Sequence, residues 1–244
     1  MSDRYFVDKP IDSLGRVMLA GPEAHHLIHV LRAVPGMRVV LFDGSGAEFP
    51  AVVQKVGRSE IELLANSREL IDRELPFDLT LGVALPKGER QKWLVEKAVE
   101  MGVTRIVPLR TQRGVAQPVE QALSRLRRAV IEASKQCGRN RLLQMDEPQN
   151  WPDFVENWPS TASRLLAHPA RENVDQSRPV VTELRSMRAV LAIGPEGGFT
   201  DDEVALGQAA GWQTIDLGPR ILRIETAALL LAAMVITVNV AAPE

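Results

Sequence analysis

The sequence predicts an α/β protein: a β-rich N-terminal segment, then a domain in which strands and helices alternate around a mostly parallel sheet. Three observations carry this. Short β-type runs separated by glycine turns occupy the chain as far as residue 65. Beyond residue 76, apolar strand-like runs alternate with amphipathic, helix-like stretches. Near the end, two strand-like runs, 189–193 and 214–217, each enter a glycine-containing loop and then a helix-like stretch. Those loops read Gly194-Pro195-Glu196-Gly197-Gly198-Phe199 and Gly218-Pro219-Arg220-Ile221-Leu222-Arg223. In an open parallel sheet, small ligands bind at such strand ends.

Each element follows from local pattern. Residues 17–20 form a strand that Gly21-Pro22 turns, and 22–32 carry Leu27, Val30 and Leu31 at helical spacing. Residues 39–42 and 47–53 flank Asp43-Gly44-Ser45-Gly46, the signature of a hairpin. Residues 60–64 alternate charged and apolar side chains like a half-buried strand. Short strands of this kind close well into a small barrel. The polar stretch 66–76 reads as a linker, dividing a domain at 1–72 from one at 73–244. A strand is expected at 79–85, and a helix at 91–101 with Leu94, Ala98 and Met101 on one face and Gly102 ending it. A strand follows at 105–109. A long helix at 119–137 turns Ala122, Leu126, Ala129 and Ala133 inward and its arginines outward. Residues 145–163, rich in proline and polar residues, read as irregular. Strands are expected at 165–167 and 190–193. Thr200 with Glu203 is a capping box for a helix that Gly211 ends, and a final alanine-rich helix starts at Glu225.

Composition limits the function. No apolar run reaches the roughly eighteen residues a membrane span needs, and the N-terminus shows no secretory signal. The single cysteine, Cys137, fits a reducing cytoplasm. His25 and His29 share a helix face, but no third metal ligand accompanies them, so no metal is expected. Net charge is −2, yet residues 105–141 carry nine basic side chains against only Glu120 and Glu132. That stripe is either a phosphate-binding footprint or a solvated helix face. Neither a G-x-G-x-x-G dinucleotide motif nor a P-loop is present.

The two C-terminal loops, with Arg4-Tyr5-Phe6-Val7, His29-Val30-Leu31-Arg32, Leu41-Phe42-Asp43-Gly44, Glu100-Met101-Gly102 and Gln136-Cys137-Gly138-Arg139, make an ordered set. In that set the chain resembles the RsmE family of the SPOUT class of S-adenosyl-L-methionine-dependent RNA methyltransferases. The resemblance implies a C-terminal SPOUT domain whose last segment threads a trefoil knot, preceded by a PUA- or OB-like β-barrel that holds RNA. It implies methylation of N3 of a uridine in 16S ribosomal RNA of the small ribosomal subunit, and a homodimer. It places the cofactor against Leu166, Gly194, Glu196, Gly197, Gly198, Leu217, Gly218, Ile221, Leu222 and Arg223, with Glu225, Thr226 and Ala227 nearby. The chain departs from the family pattern at Ile224, where a small hydroxylated residue is expected. It also departs at Lys135 and Cys137, where an acidic residue and a serine are expected.

Chemistry narrows the roles. Methyl transfer is a displacement in which the protein aligns the reactants and matches the changing charge. Uridine N3 must lose its proton, which calls for a base or a cation that stabilises the uracil anion. Glu225 is the candidate base, or else a helix N-terminal carboxylate answering the dipole. Arg223, Arg113 and Arg139 are candidate anion stabilisers. Arg4, Arg32, Arg113, Arg139 and Arg141 are the candidate RNA contacts. Cys137 is read as packing rather than as a nucleophile. Two other readings stay open: a SPOUT enzyme acting on another RNA, such as tRNA or 23S rRNA, and a non-catalytic RNA-binding protein of ribosome assembly.

Overall fold

Alternating side chains along the first strands bury one face each and so fix how those strands pair. The computed structural model describes residues 3–114, 120–169 and 186–240. It divides into two units, one of Met1–Glu74 with Ile131–Leu142 and one of Leu75–Val130 with Leu143–Glu244.

The first unit contains β1 (Arg4–Phe6), β2 (Arg16–Ala20), α1 (Gly21–His25), β3 (Arg38–Phe42), β4 (Ala47–Val56), β5 (Glu60–Ala65) and β6 (Glu69–Leu70). The sheet runs β1-β3-β4-β5-β2, with β6 on β4. Only β1 and β3 are parallel; the remaining pairs are antiparallel. Val17 and Leu19 of β2 face one core with Leu41, Phe49, Val53, Ile61 and Leu63. The expected hairpin is β3–β4, and Gly44 and Gly46 at φ 83° and 92° make its turn. The expected helix over 22–32 is shorter: α1 passes into a π turn at His26–Val30, and Arg32 closes it in the left-handed region at φ 53°. Part of the 66–76 stretch read as linker pairs instead as β6.

The second unit holds β7 (Asp78–Val83), α2 (Glu89–Glu100), β8 (Arg105–Arg110), α3 (Glu120–Cys137, which continues into the first unit), β9 (Gln144–Met145), β10 (Gln149–Asn150) and α4 (Trp151–Glu156). After these come β11 (Ser163–Ala167), β12 (Arg188–Ile193), α5 (Asp201–Ala209), β13 (Gln213–Ile215) and α6 (Ile224–Val240). The sheet order is β10-β8-β7-β12-β11-β13, and every pairing is parallel. Beyond their first residues β7 and β12 are buried on both faces, which explains their largely apolar sequence. Leu94, Val95, Ala98 and Val99 give α2 its buried face, and Gly102 at φ 85° ends it by donating to the Val99 carbonyl. Val119, the expected first residue of the long helix, lies outside the described residues. Leu126, Ala129 and Ala133 are buried as expected, and Leu123 and Val130 join them, whereas Ala122 is only half-buried.

The expectation of irregular structure at 145–163 is wrong. Trp151 and Phe154 of α4 are fully buried and pack with Trp212 and Phe199 at ring separations of 4.5 to 6.2 Å. Tertiary burial of large aromatic area overrode the weak local signal of a short proline-containing helix. Gly82 admits the Phe154 ring: a Cβ there would lie 2.4 Å from it.

Candidate functional site

Because all strands of the second sheet are parallel, their C-terminal ends share one edge. The loop 194–199 leaves β12 there and the loop 216–223 leaves β13, and both strands pair with β11, which lies between them. Phe199 anchors the first loop: it is buried, and its ring lies 4.5 Å from that of Trp151. Gly194 is glycine because a Cβ would come within 2.9 Å of the Phe199 ring. In the second loop, Gly218 stands at φ 103° and its N–H donates to Asp216 Oδ1 at 2.8 Å. Open space surrounds the position of a Cβ at Gly198 and at Gly218. Leu217 and Leu222 are half-buried, while Ile221 is wholly exposed.

Helix α6 begins beside these loops. Its Glu225 is 7% exposed, and Oε2 lies 3.6 Å from Arg90 Nη1. That oxygen is buried with no hydrogen-bond partner among the described residues. Arg90 Nη2 also donates to Glu196 Oε1 at 3.2 Å. One guanidinium therefore joins the 194–199 loop to the start of α6. Sequence reading missed Arg90. A cation in the first turn of α2 opposes the helix dipole, and that mismatch was the available signal. From the β8–α3 loop, Arg113 donates to the Gly197 carbonyl at 2.8 Å, and its Cδ would sit 3.3 Å from a Cβ at Gly197. Arg113, Glu196, Gly197 and Glu225 are thus drawn into one connected set. Arg223 and Thr226 are exposed at the entry to α6, and Ala227 is half-buried. Ile224, at the position where a hydroxyl is expected, is buried and packs instead.

Three expected site residues have side chains that are buried or paired within the protein. Leu166 lies near the C-terminal end of β11, between β12 and β13, with its side chain fully buried in the core that holds Trp151 and Phe154. Arg4 donates to Glu48 Oε2 at 2.8 Å and to Asn140 Oδ1, and its guanidinium lies 5.0 Å from the Phe42 ring. Arg139 is 4% exposed and pairs with Glu74. Both arginines are held inside the first unit rather than offered to a polyanion. Arg32 and Arg141 are exposed. Lys135, the departure from an acidic residue, is matched by Glu23 at 2.9 Å. The rings of His25 and His29 lie 4.6 Å apart, and no group able to hold a metal ion occurs among the described residues. No described helix is long and apolar enough to cross a membrane.

The second unit is a parallel sheet with two glycine loops at its C-terminal edge, and its sequence places it among RNA methyltransferases. Residues 73–236 match the model of the RNA methyltransferase domain, and residues 19–65 match that of the RNA methyltransferase PUA domain. The chain belongs to the ribosomal RNA small subunit methyltransferase E family. It is 33% identical to the Synechocystis member over 90% of this chain and 72% of that one. Two solved structures are similar throughout. One is a methyltransferase from Legionella pneumophila in complex with SAM, with a TM-score of 0.85, 30% identity and 97% of each chain covered. The other is the Neisseria gonorrhoeae family member bound to S-adenosyl methionine, with a TM-score of 0.83, 29% identity and 98% of each chain covered.

Proposed function

We propose that this chain methylates N3 of a uridine in 16S ribosomal RNA, with S-adenosylmethionine as donor. The observation that carries the reading is the connected set at the sheet edge, in which the 194–199 loop and the buried carboxylate of Glu225, at the start of α6, meet through Arg90. The residues suit the cofactor. Gly198 and Gly218 leave open space for close backbone approach, Ile221 offers an uncovered apolar side chain, and Glu225 holds a buried oxygen in want of a donor. A ligand with a flat, partly apolar base and cationic groups answers all three.

When bound, the cofactor supplies an electrophilic methyl group. The chain's own residues do the rest. Gly197, Gly198, Gly218, Ile221 and Leu222 hold the donor. Glu225 accepts the N3 proton, and Arg113 and Arg223 stabilise the resulting uracil anion at its carbonyl oxygens. Residues 1–72 bind RNA, with Arg32 there and Arg141 beyond them as phosphate contacts, and residues 73–244 carry out the transfer in the cytoplasm. A homodimer is supported by Leu230 and Val240 on α6 and Trp93 on α2, all exposed apolar side chains.

Titration calorimetry with S-adenosylmethionine, on the wild type and on Gly197→Arg, tests the reading. Saturable binding abolished by the substitution, followed by methyl transfer to small subunits, is expected. Failure of folded wild-type protein to bind would overturn it in favour of a non-catalytic RNA-binding role. Light scattering that finds a monomer at working concentration would remove the dimer.

A further inference from the structure

We infer that Glu203 is a positioning residue, a buried carboxylate that sets the Arg113 loop against the 194–199 loop; its consequence for turnover rests on the donor-site reading above. The sheet does not fix these loops relative to one another. They leave β8 and β12, and β7 lies between those strands. Polar ties cross between them: Arg113 donates to the Gly197 carbonyl, and Glu203 supplies a second. Oε1 accepts the backbone N–H of Gln112 at 2.8 Å, across 91 residues of sequence, and Oε2 accepts that of Thr200 at 2.8 Å.

Helix capping explains only half of this arrangement. A capping box needs one glutamate oxygen on the N-cap N–H and the threonine oxygen on the glutamate N–H, and both bonds are present here. The bond to Gln112 lies outside that motif. Glu203 is 5% exposed, and a buried carboxylate is costly unless its oxygens are met by donors. Its carbonyl is fixed as well, by Trp151 Nε1 at 2.8 Å, so the residue is held against the aromatic core. Beside Gln112, Arg113 reaches the Gly197 carbonyl. Glu203 thereby places the side chain that the reaction requires without approaching the substrate itself.

The test compares Glu203→Gln, Arg113→Ala, their double variant and Thr200→Ala, with folding of each checked by circular dichroism. Glutamine keeps one acceptor oxygen and puts NH2 in place of the other, so one of the two backbone N–H groups, each on its own oxygen here, loses its acceptor. In Glu203→Gln, exchange of the Gln112 amide is expected to rise about tenfold or more. Its kcat on small subunits is expected to fall about tenfold, with the KM for donor changed much less. The double variant is expected to be no slower than Arg113→Ala alone, the non-additivity of a residue acting through another. Thr200→Ala, which removes only the cap hydroxyl, is expected to keep both the slow Gln112 exchange and kcat. Unchanged Gln112 exchange in Glu203→Gln overturns the proposal. So do multiplying losses in the double variant, or an equal kcat loss in Thr200→Ala. Should Glu203→Gln not fold, Glu203→Asp, shorter by one methylene, serves the same comparison. A wild type that neither binds donor nor methylates subunits would sink the methyltransferase reading, while the Gln112 exchange still decides whether the clasp exists.

Discussion

The arginines of the first unit and those of the second sheet edge meet their carboxylates differently. In the first unit, Glu48 receives Arg4 at 2.8 Å and Arg73 at 3.1 Å, and Asn140 approaches the same oxygen. Arg139 is likewise consumed by Glu74. At the sheet edge, Arg90 is shared between Glu196 and Glu225, and one Glu225 oxygen has no hydrogen bond among the described residues. Glu48 thus has its donors within the protein, although Arg4 Nε beside it has no hydrogen bond among the described residues, whereas the Glu225 oxygen is a buried acceptor that calls for an explanation. Counting arginines in a basic stripe does not separate the two, since separating them requires knowing which carboxylate each one meets.

That contrast can be broken in four ways, and the largest effect is expected at the unsaturated site. Glu225→Ala should lower kcat for methyl transfer about a thousandfold, the scale of a lost general base, with little change in melting temperature. A loss of stability without a loss of rate would assign Glu225 to the helix start instead. Glu48→Ala should behave oppositely. Leaving Arg4 without its carboxylate should cost about 3 kcal/mol in denaturant unfolding, while donor affinity of the folded protein is retained. Arg32→Gly is the intermediate case. Arg32 is exposed and held at φ 53°, so glycine should add about 1 kcal/mol of stability while weakening RNA binding severalfold. If filter binding shows no loss of RNA affinity, the arginine is mere strain.

Acid response is the smallest and finest test. Burial raises the Glu48 carboxyl, but hydrogen bonds and charge from Arg4 and Arg73 outweigh it and hold the group below the ordinary glutamate range. A depressed carboxyl contributes stability above its unfolded pKa and loses it as pH falls through the folded value. Hydrogen bonds from Ser45 and backbone N–H groups give Asp43 the same sign against the opposing effect of its burial. Glu23 has the opposite sign: its burial raises the carboxyl despite Lys135, so its contribution is lost as pH rises. Thermal unfolding followed from neutral pH downward should therefore lose stability below the ordinary carboxylate range. Glu48→Gln should flatten that limb, and an unaltered limb would show that the network does not control it.

Much of the architecture was legible because it is local. The period of two in β2, the hairpin turn at Gly44 and Gly46, the Thr200–Glu203 capping box and the Gly102 helix end each need only a few neighbouring residues to be specified. The two glycine loops were legible for the same reason. The α4 segment was not, because a six-residue helix has no stability of its own and exists here by burying Trp151 and Phe154. Nor was the side-chain direction of Leu166 legible, since Leu165 and Leu166 are adjacent apolar residues, both fully buried, and the β11 sequence does not mark which layer each faces.

By itself the sequence determined the order of the longer strands and helices, the mostly parallel character of the second sheet and the two loops at its edge, since hydrophobic period and glycine placement are properties of neighbouring residues. Only the tertiary structure decided that Arg4 and Arg139 are spent on Glu48 and Glu74, that Arg90 joins Glu196 to Glu225, and that Glu203 reaches back to Gln112. Each of those pairings spans tens of residues, and a charge finds its distant partner only after the core has brought the two elements together.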